Sequence, residues 1–199
     1  MKKRLLIIII MMIFPFSVFA SEIRKDTIDV YINSDGTAKV TEIWEVPKQS
    51  DSYFVKDFFN ISNIEISNFK IVNQSGTEYQ EVDNLNKKKR KTFKIVNHDI
   101  SKTAEIVLDT YKDDVYTITY DVKGMIKHYS DGVYGIDFTF VGINYFMKYG
   151  NIYINVKSDI PFMETNTNLH GIGKELVVDF NHELAGKDLI FDITIKSIN

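Results

Sequence analysis

There is no cysteine in the 199 residues of this chain. That excludes disulfide staples, thiolate zinc sites, thiol nucleophiles and redox chemistry, and leaves the burial of apolar side chains to stabilise the fold alone. Proline occurs three times and tryptophan once, so long stretches are free of the residue that interrupts a sheet ladder. Arginine is confined to Arg4, Arg24 and Arg90. After residue 20 no apolar run approaches the roughly 20 residues a spanning helix needs. Positive charge is in deficit: residues 21–199 hold 21 Lys and Arg against 27 Asp and Glu, a net charge of −6. Binding of nucleic acid or anionic lipid through overall charge is therefore disfavoured. G-x-S-x-G elbows and H-E-x-x-H pairs are missing too.

What the chain does have begins at its start. Lys2, Lys3 and Arg4 precede an apolar run from Leu5 to Phe16, and Val18-Phe19-Ala20 closes it with small residues where a signal peptidase reads. Pro15 and Ser17 interrupt the run, and the missing cysteine excludes a lipoprotein leader. The expectation is a signal peptide over residues 1–20 with cleavage after Ala20; an uncleaved N-terminal anchor is the alternative. Residues 21–199 then form one domain, long enough for a substantial core and delivered to the extracytoplasmic side or secreted.

Period-two patterning dominates that domain. Ile28, Val30 and Ile32 alternate with Thr27, Asp29 and Tyr31, and Asn33-Ser34-Asp35-Gly36 supplies turn chemistry. The return strand carries Ala38, Val40, Trp44 and Val46 on one face and ends at Pro47. Ile64 and Ile66 alternate, then Phe69 and Ile71 continue in the opposite phase, which predicts a bulge near Ser67-Asn68. Further strands are marked by Phe93 and Ile95, by Ala104, Ile106 and Leu108, by Tyr116 to Val122, by Ile136, Phe138 and Phe140, and by Ile152, Ile154 and Val156. Leu176, Val178 and Phe180 are expected to pair with Leu189, Phe191, Ile193 and Ile195 across a turn near Gly186. No helical period of useful length occurs. The fold expected is all-β, an antiparallel β-sandwich, immunoglobulin-like, of about nine or ten strands.

Two stretches carry a recognisable arrangement. One runs from Ile28 to Trp44, with Asp35-Gly36-Thr37 as its turn and Val40-Thr41-Glu42 following. The other is Tyr116 to Gly124, followed by an aromatic strand and a strand ending in Pro161. Together they resemble the N-terminal extracytoplasmic domain of the YciQ-like predicted membrane proteins of bacteria, a family of unknown function. The resemblance covers most of residues 22–196 and implies a β-sandwich outside the cytoplasmic membrane, with no activity to carry over. It departs where that family continues into transmembrane helices, and where an aromatic strand tends to carry tryptophan but this chain has Asp137-Phe138. A free-standing secreted version, or one whose membrane part is encoded elsewhere or lost, is expected.

Candidate functional residues are few. Glu42 shares a face with Val40, Trp44 and Val46, so a carboxylate falls where alternation predicts core. It is either a ligand- or cation-facing acid, or it is rotated outward by a bulge or paired with a lysine. His98, His128, His170 and His182 are scattered and have no metal-ligand spacing, and Gly171-Ile172-Gly173-Lys174 lacks the spacing and context of a phosphate loop. The run Lys87-Lys88-Lys89-Arg90-Lys91 is either a contact for anionic headgroups or wall polymers, or a solvated hairpin tip. Phe138 and Phe140 read as core. Tyr145, Phe146 and Tyr149 are placed in the following connection, where rings can stack on sugars or a partner.

These residues support an exported, non-catalytic interaction or sensing module of the bacterial cell envelope, with a membrane protein or envelope component as partner and no cofactor or metal. A carbohydrate- or cell-wall-polymer-binding module is the alternative. A hydrolase built from dispersed acids such as Glu42, Asp137 and Glu183 is the third reading, and it needs two carboxylates roughly 5 to 10 Å apart.

Overall fold

Alternating burial along the strands shows how the chain divides its side chains between core and solvent. In the computed structural model the described residues are 21–59, 61–128, 134–136, 138–141 and 147–159, together with the backbone of 164–165, 171–172, 175–179 and 193–195. The leader and the turn near Gly186 lie outside them. β1 (Ser21–Ile32) and β2 (Ala38–Val46) form the expected hairpin. Its turn is closed by Asn33 N donating to Thr37 O at 2.8 Å, while Gly36 takes a φ of 79° that a side chain would oppose.

β3 (Tyr53–Phe58), β4 (Glu65–Asn73), β5 (Gln80–Glu81), β6 (Thr92–Asn97), β7 (Lys102–Val107), β8 (Asp114–Lys123), β9 (Ile126–His128), β10 (Tyr134–Ile136), β11 (Met147–Ser158), β12 (Glu164–Thr165), β13 (Gly171–Ile172), β14 (Glu175–Asp179) and β15 (Ile193–Ile195) follow. Among the described residues nine of the fifteen strands have five or more residues; β3 is one that alternation did not single out, and the expected strand over Ile136, Phe138 and Phe140 stops at Ile136. The strands assemble into a seven-stranded sheet ordered β13-β14-β11-β1-β2-β8-β4 and two four-stranded sheets, β3-β7-β6-β5 and β12-β15-β10-β9. The result is an all-β sandwich, antiparallel except where β1 runs parallel to β11 and β5 to β6.

The core lies between the seven-stranded sheet and β3, β6 and β7. Trp44 and Tyr120 point inward from the large sheet, meeting Phe54 at 6.2 Å and Phe58 at 5.1 Å between ring centroids. Phe69 meets Phe93 at 5.3 Å. Phe138 and Phe140 are buried as expected and pack edge to face at 4.9 Å. The bulge also falls where the phase change predicts it. The β4–β8 register slips between Ser67 and Lys70, and Asn68 adopts a φ of 53° with its amide donating to Asp121 at 2.7 Å.

Two expectations are corrected. Leu176 and Val178 do not pair with the segment containing Ile193 and Ile195. β14 lies antiparallel to β11, with Val178 opposite Ile154, and β15 joins β10 and β12 in another sheet. Alternation supplies the inward face of each strand but not its neighbour, so two in-phase strands close in sequence read as a hairpin. The second correction concerns Tyr149, which lies within β11 and packs against the core. Strand β11 starts earlier than its aliphatic run suggests because its phase breaks at Gly150. There β1 approaches so closely that a Cβ on residue 150 would sit 2.2 Å from the Arg24 carbonyl oxygen.

Candidate functional site

The break opposite Gly150 has a chemical consequence on β1. Ser21 and Ile23 are buried, Arg24 and Lys25 are not, and burial resumes at Asp26 in phase with Ile28, Val30 and Ile32. A carboxylate is thereby turned into the sandwich beside the inward face of β2, where Trp44 stands opposite Asp26 and Glu42 opposite Ile28. From the other sheet comes Lys56, held between Phe54 and Phe58 on the buried face of β3. Tyr120 completes the group from β8. Asp26, Glu42, Lys56 and Tyr120 are 0–4% exposed.

Glu42 is fully partnered. Its Oε1 accepts from Lys56 Nζ at 2.7 Å and from the Tyr120 hydroxyl at 2.6 Å, and its Oε2 accepts from Trp44 Nε1 at 3.3 Å. Lys56 also donates to the Phe140 carbonyl at 2.9 Å, and its ammonium lies 5.1 Å from the Phe58 ring centroid and 5.7 Å from that of Tyr120. The lysine-paired reading of Glu42 is thus the one the geometry realises. No bulge turns it outward. Lys56 was missed in the sequence, although its place between Phe54 and Phe58 put it on an inward face.

Asp26 differs. Among the described residues neither of its carboxyl oxygens has a hydrogen-bond partner, because the Trp44 indole beside it donates to Glu42 instead. Burial, and then repulsion from Glu42, push its pKa well above the usual carboxylate range; Lys56 and the nearby Trp44 indole oppose this only in part. Burial thus favours the neutral acid at Asp26, beside the Glu42–Lys56 ion pair. Burial, and then Glu42, also raise the Tyr120 phenol well above its ordinary value, and burial followed by Asp26 and Glu42 does the same for Tyr149. Sequence reading missed Asp26 too, although its even spacing from Ile28 signalled an inward side chain. Buried at the interface of the two sheets, the set fastens one to the other.

The basic run is only partly a free patch. Lys87 Nζ lies 3.6 Å from the Tyr53 ring centroid, and Arg90 donates to the Leu108 carbonyl at 3.0 Å and the Thr110 hydroxyl at 3.1 Å while stacking over Tyr111 at 4.0 Å. Lys91 adopts a φ of 62° and pairs with Asp109 at 3.7 Å. Lys88 and Lys89 are exposed. Tyr145, Phe146, Asp137 and Glu183 lie outside the described residues, as do the side chains of His128, His170 and His182. His98 is exposed, and among the described residues no three His, Asp or Glu side chains converge to hold a metal. No helix among them is long and apolar enough to cross a membrane.

The outer face of the seven-stranded sheet is open. A groove of about 560 Å³ is lined by Tyr31, Lys39, Glu65, Asp121 and Lys123, among others. A smaller one of about 260 Å³ adjoins it through Tyr31 and Lys39 and reaches Asp29 and Asn155. Tyr31 is 46% exposed, and its hydroxyl donates to Asp159 at 2.6 Å.

Fold and sealed cluster together define an all-β sandwich with a buried Glu42–Lys56 ion pair in its core. No protein-family model and no curated protein matches the sequence. Solved structures with a similar chain path include a yeast LTA4 hydrolase in complex with bestatin, at 8% identity and a TM-score of 0.48, covering 89% of this chain and 29% of the other. A putative protease from Parabacteroides distasonis ATCC 8503 matches at 10% identity and a TM-score of 0.40, over 88% of this chain and 40% of the other. The group B streptococcus pilus 2b backbone protein matches at 13% identity and a TM-score of 0.35, over 87% and 79%. This chain spans less than half the length of the first two. At such identities and scores these likenesses bear on no functional reading.

Proposed function

We propose that this chain is an exported, non-catalytic β-sandwich of the bacterial cell envelope that serves as an interaction or sensing module. The observation that carries the reading is the sealing of Glu42, Asp26, Lys56 and Tyr120 at 0–4% exposure. The convergent ionisable set thereby acts on the fold. The leader pattern at residues 1–20 and the resemblance to YciQ-like extracytoplasmic domains support the location. Fractionation of expressing cells with mass spectrometry of the product tests it. A mature N-terminus at Ser21, or intact chain in the membrane fraction, is expected outside the cytosol. Intact soluble chain in the cytosol would remove the basis of the proposal.

A second reading, binding of carbohydrate or wall polymer, is favoured by the Tyr31 ring, which stands in a groove beside Asn155 and Asp29. Exposed rings with flanking amides and carboxylates suit neutral sugars. Titration with soluble wall glycan should then give binding that Tyr31→Ala weakens about tenfold or more, given the 0.5–1.5 kcal/mol of a ring contact plus its buried area.

A further inference from the structure

The first described residue and the basic run belong to the same end of the sandwich. Ser21 Oγ donates to the Tyr53 carbonyl at 2.7 Å, and it is the Tyr53 ring that carries the Lys87 ammonium. Glu22 N donates to Gln49 Oε1, and Gln49 N donates to the carbonyl of Thr110, whose hydroxyl receives Arg90. The chain therefore leaves the apolar run of residues 1–20 at the end over which Lys87–Lys91 is folded.

That end is basic on a domain whose net charge is −6. Of the carboxylates at that end, Asp113 pairs with Arg24 at 3.1 Å and Asp109 with Lys91 at 3.7 Å, while Asp51 accepts from the Tyr53 backbone N–H and Asp114 is buried. Among the described residues Lys87, Lys88, Lys89 and Lys112 take part in no ion pair. Beside them Tyr111 is 71% exposed, its ring backed by the Arg90 guanidinium. Lysines around a projecting tyrosine are the chemistry of a membrane–water interface, where the ring sits at headgroup level and the ammonium groups meet anionic phosphates.

We propose that this end of the sandwich docks on an anionic phospholipid surface through Lys87, Lys88, Lys89 and Lys112, with Tyr111 at the interface. The proposal rests on the envelope reading, which brings Ser21 to a membrane, and names the partner of that module. Charge complementarity and the exit of the chain from an apolar run at this end both favour a bilayer as occupant.

Because the chain has no cysteine, single labels can be placed without background. A fluorophore on Ser50→Cys, between Gln49 and Asp51, which both bond Thr110, reports the basic end, and one on Asp99→Cys, in the β6–β7 turn, reports the opposite tip. Residues 21–199, the form expected after cleavage at Ala20, are added to phosphatidylcholine–phosphatidylglycerol vesicles carrying a headgroup quencher. Quenching at residue 50 and little at residue 99 is expected. The ratio of docked to undocked chain should fall roughly 100-fold when Lys87, Lys88 and Lys89 are all replaced by Gln, at about fivefold per lysine. Pure phosphatidylcholine vesicles should lower it similarly, and about 1 M salt, where screening acts within ~3 Å, should abolish docking. Unchanged Trp44 emission would show that the Gln variant is folded. Equal quenching of both labels, equal docking on neutral vesicles, or an unaffected Gln variant would overturn the proposal. Capture by soluble polyphosphate without vesicle contact would also overturn it and assign the run to a wall polymer. Cytosolic chain that still docks in vitro would sink the envelope reading alone; exported chain that does not dock would sink this one alone.

Discussion

Replacing Asp26 with asparagine should stabilise this protein, and by an amount that grows with pH. The carboxyl group is 1% exposed, has no hydrogen-bond partner among the described residues, and faces the Glu42 carboxylate. Folding therefore requires Asp26 to keep a proton that it loses in the unfolded chain above about pH 3.9. The sign follows directly. The folded pKa is raised, so above the unfolded pKa the native state binds one proton more than the unfolded state, and stability falls as pH rises. Asp26 contributes in full below the unfolded pKa, and its contribution is lost progressively up to the folded one. Within that window the loss is about 1.4 kcal/mol per pH unit. Asparagine has nearly the shape of the neutral acid and no proton to lose, so its stability should lack this slope. Urea unfolding followed by Trp44 fluorescence at several pH values would give the difference, with groups common to both proteins cancelling. The variant's advantage should widen by up to about 1.4 kcal/mol per unit from pH 4 upward and then level off at the folded pKa. Parallel pH profiles, or a variant destabilised equally at every pH, would refute the reasoning and mean that Asp26 is solvated or partnered in solution.

Lys56→Met should destabilise the fold by about 3–5 kcal/mol, because Glu42 would be left buried without its cation. Adding Glu42→Gln to that variant should recover a large share, measurable by the same urea titration as a double-mutant cycle. Gly150→Ala should cost about 1–3 kcal/mol or more, since its Cβ would meet the Arg24 carbonyl where β1 and β11 close on each other; an unchanged melting temperature would contradict that approach. Trp44, at 0% exposure, should emit at short wavelength and resist iodide quenching. Emission typical of a hydrated indole would place it outside the core.

Much of the fold was legible because the pleat writes itself into sequence with a period of two. The β1–β2 hairpin, its Asn33–Gly36 turn, the slip near Ser67-Asn68, and the inward placement of Trp44, Phe138 and Phe140 all follow from side chains within a few residues of one another. Glu42 belongs here as well, since its inward position is a matter of phase. Its meaning does not. Whether a carboxylate on an inward face holds a ligand or a lysine depends on what the opposing sheet presents, and Lys56 lies on another sheet, reached only when the sandwich closes. The same holds for β14, which alternation would pair with its sequence neighbour but which the assembled sheet places against β11. Asp26 turns inward because two strands 126 positions apart, matched as Lys25 to Asn151, break phase together at Gly150. The basic run is plain in the sequence; that it folds over Tyr53 beside Ser21 is not. Local periodicity records which way a side chain faces, whereas its partner is chosen by long-range closure, where burial, charge and close approach must be satisfied at once.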